Sequence, residues 1–178
     1  MGAVQTPDSV LLVLAASSRH DSALSWARER AVSSFGPIAL ASAPFAFTET
    51  DYYTATMGTG LKKQFIAFER SIDPGALPAI KRQTNEWEAE YAALSRHAEP
   101  RPLNLDPGYI TPAKLVLAST KDHAHRIYLG DGIFAEVTLS YRAGRWHPLA
   151  WTYPDYRRDD YQRFFTDCRR RILESPAT

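Results

Sequence analysis

Val10-Leu11-Leu12-Val13-Leu14-Ala15-Ala16 is a continuous apolar run closed by Ser17-Ser18. It reads as a strand buried on both faces, because such runs carry no polar side to turn toward water. It is far too short to span a bilayer. The only charge before it is Asp8, with no Lys or Arg, so it lacks the positive segment of a secretory signal. A helix follows: Leu24, Ala27, Ala31 and Phe35 recur at helical spacing, and Gly36-Pro37 ends it. Residues 38–47 read as extended, with Pro44 marking an edge or bulge. A long polar stretch, 48–60, precedes a strand over 62–72, and loops of that length are often functional.

Asp73-Pro74 then signals a helix start, with Asp as cap and Pro at the first helical position. Leu77, Ile80, Thr84, Trp87, Tyr91 and Leu94 form one stripe along the helix after it, which suits a helix lying on a sheet. Leu103-Asn104-Leu105 reads as a short strand, Pro107-Gly108 as a turn, and Thr111-Pro112 as the start of a short helix reaching Ser119. Residues 126–129 and 133–141 flank Gly130-Asp131-Gly132 as a hairpin. In the second of these strands Ile133, Ala135, Val137, Leu139 and Tyr141 alternate against Phe134, Glu136, Thr138 and Ser140. A strand near Trp146 and a helix from Asp159, with Tyr161, Phe164, Phe165, Cys168 and Ile172 on its buried face, complete the chain. The order predicts an α+β protein. Its first half is a ferredoxin-like βαββαβ unit, extended by a short helix, a β-meander and the C-terminal helix. One domain over 1–178 is expected from the length.

The chain is 44% hydrophobic and 23% charged, with a formal net charge of +1, so no overall field calls for nucleic acid or an anionic membrane. One cysteine, Cys168, excludes internal disulfides and Cys-rich zinc sites, and suits a reducing cytoplasm. Met57-Gly58-Thr59-Gly60-Leu61-Lys62-Lys63 lacks the spacing of a phosphate loop or a dinucleotide fold. No GxSxG or HExxH occurs.

The densest polar cluster is Lys121-Asp122-His123-Ala124-His125-Arg126, at an element boundary where sites tend to sit. An extended His123-Ala124-His125 would point both imidazoles one way, as a metal pair does, with Asp106 or Asp131 as carboxylate. Alternatively Lys114, Lys121 and Arg126 gather around an anion beside a helix start at Thr111-Pro112. Asp106 at a strand end suits metal or base duty, or the capping of a turn. The aromatics from Tyr141 to Phe165, interleaved with Arg142, Arg145, Arg157 and Arg158, form either a platform for single-stranded nucleic acid or a clamp holding the last helix to the sheet.

Several motifs resemble those of a bacterial family of unknown function. They are Asn104-Leu105-Asp106-Pro107-Gly108-Tyr109, Lys114-Leu115-Val116-Leu117-Ala118, Lys121-Asp122 with His125-Arg126-Ile127-Tyr128-Leu129-Gly130-Asp131-Gly132-Ile133, Ala135-Glu136-Val137-Thr138-Leu139, and Trp151-Thr152-Tyr153-Pro154-Asp155-Tyr156. Gly36-Pro37-Ile38, Asp51-Tyr52-Tyr53 and Phe68-Glu69-Arg70 extend the likeness over most of the chain. Members of that family often carry an automatic "GTP-binding protein" label, yet no GTPase motif occurs here. The resemblance implies that His125, rather than His123, is the fixed histidine, which favours His125 with Arg126 and Asp131.

A pocket is therefore expected from Asp106, Tyr109, Lys114, Lys121, Asp122, His125, Arg126 and Asp131, covered by the 51–60 loop. Lys121 and Arg126 would hold a small anion, a nucleotide or other phosphate, and His125 with Asp106 would carry any proton transfer of a hydrolase or transferase. The alternatives are a metal-assisted hydrolase using His125, Asp106 and Asp131, and a non-catalytic RNA- or protein-binding module on the C-terminal third. The sequence names no cofactor and no oligomeric state.

Overall fold

The computed structural model describes residues 2–174. β1 (Leu11–Ser18) is buried at every position and lies mid-sheet. It runs antiparallel to β4 (Lys62–Phe68) on one side and β5 (Asn104–Ile110) on the other. Its alternate side chains serve two cores. Leu12, Leu14 and Ala16 pack under α1 (Asp21–Phe35) and α3 (Leu77–Leu94), while Leu11, Val13 and Ala15 pack under α4 (Asp159–Glu174). β2 (Ile38–Ala41) pairs with β4, giving the spatial order β2-β4-β1-β5 with both connecting helices on one face. This is the ferredoxin-like arrangement expected from the order of elements, within an α+β protein. Pro44 separates β2 from β3 (Phe45–Ala46), which pairs with the start of β4.

β6 (Lys114–Ser119), β8 (Ile133–Arg142) and β7 (Ile127–Gly130) continue the sheet beyond β5. β9 (Arg145–Pro148) lies beside β7 on the outer edge of β8, so the last strands do not follow one another across the sheet as a meander would. Nine strands form this one antiparallel sheet among the described residues. The aromatics of the C-terminal third are mostly core. Phe65 meets the rings of Tyr156, Tyr161, Phe164 and Phe165 at centroid distances of 4.7–5.8 Å. The clamp between α4 and the sheet is what those residues build.

Three local expectations are overturned. The short helix expected from Thr111-Pro112 to Ser119 is strand β6. Thr111 Oγ1 accepts from the amides of Ala113 and Lys114, each at 3.1 Å, and so closes a turn. Leu115 to Ala118 is buried on both sides of the strand, and that burial outweighs a capping signature. Pro107-Gly108 is not a turn but the middle of β5, opposite Leu14 and Val13 of β1. The alternation of β8 breaks at a bulge opposite Leu115–Val116. Ile133, Ala135 and Val137 stay on the α3 side, whereas Leu139 crosses to the α4 side.

The consequence for the site lies between β5 and β6. The two strands pair only over Gly108–Ile110, opposite Leu117–Leu115. Before Gly108, β5 has only β1 beside it; beyond Leu117, β6 has only β8. The sheet opens here into a fork. Gly108 sits at its crotch, where a Cβ would lie 2.2 Å from the Val116 carbonyl oxygen and 2.7 Å from Leu117 Cδ2. That oxygen is backbone and has no rotamer to escape into. Gly108→Ala should therefore cost about 2 kcal/mol of stability, as overpacking does. Urea denaturation followed by circular dichroism checks this, with Gly132→Ala, where nothing lies within 4 Å but φ is +74°, as the contrast for backbone strain alone.

Candidate functional site

The fork holds a cavity of about 440 Å³. One wall is the free arm of β5, with Asn104 and Asp106, and the other is Leu117 to Lys121 at the end of β6. Lys81 and Asn85 of α3 close it from one face; Lys63 of β4 and the Tyr153–Tyr156 segment close it from the other. Glu49, Thr50, Tyr52 and Tyr53 form a cover. The cover is held by its own small core of Phe47, Met57 and Leu61 around α2 (Thr54–Met57). The Arg101 amide ties it down by donating to the Thr56 carbonyl at 3.0 Å.

A strand arm without a neighbour leaves backbone groups to satisfy. At Leu105 the helix supplies both partners. The Leu105 amide donates to Glu88 Oε1 at 2.7 Å, and Lys81 Nζ donates to the Leu105 carbonyl at 2.7 Å. Lys81 Nζ also donates to Asp106 Oδ1 at 3.2 Å, and Asn104 Nδ2 donates to Asp106 Oδ2 at 2.6 Å. Burial works to raise the Asp106 pKa, but the Lys81 and Lys63 ammoniums outweigh it and hold the carboxyl below the ordinary range. Arg101 bonds Glu88 and Asn104, and burial keeps Glu88 above its ordinary value despite the nearby Lys81 and Arg101.

Across the cavity, Lys63 Nζ donates to Asp155 Oδ2 at 2.5 Å, with both side chains buried, and sits 3.9 Å from the Phe47 ring centroid. Arg126 is fixed on all three nitrogens. Nε donates to Glu136 Oε2 at 2.8 Å, Nη1 to Ser119 Oγ at 2.7 Å, and Nη2 to Tyr153 Oη at 2.5 Å. At the mouth, Lys121 Nζ donates to Tyr52 Oη at 2.6 Å, and this bond lowers the phenol pKa. Burial raises that of Tyr53, and of Tyr153 despite Arg126.

Of the residues expected from the sequence, the structure brings Asp106, Lys121 and Arg126 to the cavity, and His123 with them. His125 stands behind the wall. Its Nε2 lies 2.9 Å from Glu136 Oε2, and its ring stacks on Trp151 at 5.2 Å. Tyr109 packs beside the apolar cluster of Leu77, Val116 and Ala118. Lys114 is exposed at the far end of β6, Asp122 is exposed in the turn after it, and Asp131 pairs with Arg82 at 3.6 Å on the hairpin tip. His125, Asp106 and Asp131 are therefore not gathered as a ligand set. Among the described residues no three His, Cys, Asp or Glu side chains are placed to hold a metal.

The reading missed Lys63, Lys81, Arg101, Glu136, Tyr153 and Asp155. Glu136, Tyr153 and Asp155 stand inside the family-like motifs, and two of the others carry a periodic signal. Lys63 alternates with Phe65 and Ala67 on an inward face, and Lys81 sits one helical turn past Leu77.

The family model described as Domain of unknown function (DUF4416) matches residues 8–172. The chain belongs to this family. The match agrees with the likeness carried by the motifs from Asn104 to Tyr109 and from Lys121 to Ile133, both of which reach the fork. No curated protein and no solved structure matches the chain.

Lys81→Met removes the nearest counter-charge of Asp106 and the donor to Leu105. The expected cost is about 3 kcal/mol at pH 7, as for a broken buried pair. With Asp106 depressed, its stabilising share is present above the unfolded carboxyl pKa of about 3.9 and lost as pH falls through the lower folded value. The difference between wild type and variant should therefore shrink below about pH 4. Denaturation at pH 7, 5 and 3 measures it; a gap that stays constant contradicts the assignment.

Proposed function

We propose that the fork cavity binds a small anionic molecule, phosphates included. Its volume of about 440 Å³ suits a ligand of metabolite size. Lys121 is the observation that carries the reading. The other wall cations each face a carboxylate: Lys63 with Asp155, Lys81 with Asp106, Arg101 with Glu88 and Arg126 with Glu136. Among the described residues Lys121 has no carboxylate within salt-bridge distance; it bonds a phenol and keeps further N–H groups for a guest. Arg126 Nη1 donates to the Lys121 carbonyl at 2.9 Å and so fixes the backbone from which that lysine extends. Among the described residues no helix is long and apolar enough to cross a membrane. The buried, unbridged Cys168 supports a cytoplasmic setting.

Thermal shift against inorganic phosphate, ribose 5-phosphate and nucleoside mono- and triphosphates tests this. A ligand at 100 times its dissociation constant should add about 2.7 kcal/mol. Lys121→Ala should leave the unliganded melting temperature nearly unchanged, since the side chain is exposed, and weaken binding about tenfold. A panel in which no anion raises the melting temperature, or a variant that binds as wild type does, overturns the proposal.

A further inference from the structure

Resting on that reading, we infer that the ligand is a hydroxyl-rich monoanion or monophosphate of the sugar-phosphate class. Its charge sits at Lys121, and its hydroxyls reach the cavity floor at Asp106, Lys81 and Lys63. The floor is highly polar yet self-neutralised. A second negative group there would meet Asp106 and Asp155 as well as the lysines, so it would gain little. An apolar group would strip water from those charges and return no hydrogen bonds. A hydroxyl donates and accepts at once, which is what a carboxylate beside an ammonium offers.

The valences left on the floor match. Lys81 Nζ spends two of its three N–H groups and Lys63 Nζ one. Asp106 accepts one bond on each oxygen, and 28% of its side chain is still exposed. Tyr156 also lines the cavity, and its buried hydroxyl has no hydrogen-bond partner among the described residues. Phe47 and Tyr53 add apolar surface to the lining, where the C–H side of a sugar can pack. The single unmatched wall cation sets the charge. One phosphoryl group suits it better than three, so a nucleoside triphosphate is expected to bind no better than a sugar monophosphate.

Calorimetric titration of the full chain separates the parts. Ribose 5-phosphate carries charge and hydroxyls, butyl phosphate carries charge alone, and ribose carries hydroxyls alone. Ribose 5-phosphate should bind at least about tenfold more tightly than either, the scale set by hydrogen bonds to charged groups. Asp106→Asn should erase its advantage over butyl phosphate while leaving butyl phosphate affinity within about twofold. The wild-type comparison stands by itself if that variant does not fold. Equal affinity for ribose 5-phosphate and butyl phosphate overturns the hydroxyl assignment and leaves the anion site intact. Failure of every phosphate to bind overturns both.

Discussion

A strand that loses its neighbour on one side bares a row of amides and carbonyls, and each that is buried must find another partner. In β5 this happens before Gly108, where β6 turns away toward β8. α3 supplies the substitute. Glu88 takes the Leu105 amide and Lys81 takes its carbonyl, so two helical side chains stand in for a missing strand. The helix can do this because it spans the opening. Leu77 packs on the β6–β8 part of the sheet, while Ile80, Trp87 and Tyr91 pack on the β1 core. The cavity persists because the fork is braced on both arms rather than collapsed.

The same bracing explains the density of buried charge. Lys63, Lys81, Glu136 and Asp155 are nearly sealed from solvent. Ion pairs of that kind add little stability beyond what apolar residues of similar size would give, and breaking one is costly. A fold that needed only a core would gain nothing from them. Around an enclosed space they preset donors and acceptors, and a guest meets a surface already oriented. Arg126, committed to Glu136, Ser119 and Tyr153, is fixed in this way, and His125 with Trp151 supports Glu136 from behind.

Much of the frame was legible in the chain. The apolar run of β1, the stripes of α1, α3 and α4, and the glycine-bracketed turn at Asp131 are local patterns, and each produced the expected element. Leu94, the last residue of the α3 stripe, is exposed, because the helix ends as it reaches solvent. Pro107-Gly108 and Thr111-Pro112 misled because their local preference for turns and helix starts is overridden by pairing with β1 and β8. The β8 bulge is likewise a product of its partner strand. Asp106, Lys121 and Arg126, which line the cavity, stand out in the chain as members of dense polar clusters, although the turn expected after Asp106 is the middle of β5. Lys63, Lys81, Arg101 and Asp155 come from four separate segments of the chain, and the sheet's topology brings them to one cavity.

Amide chemical shifts of the ¹⁵N-labelled chain, followed as ribose 5-phosphate is added, test the fork as a binding site most directly. The account expects the largest changes on both arms at once, from Asn104 to Gly108 and from Leu117 to Lys121, with Tyr52 and Tyr153 moving alongside. Changes confined to the hairpin tip around Asp131 or to the exposed face of α1, or no change at all, would contradict it.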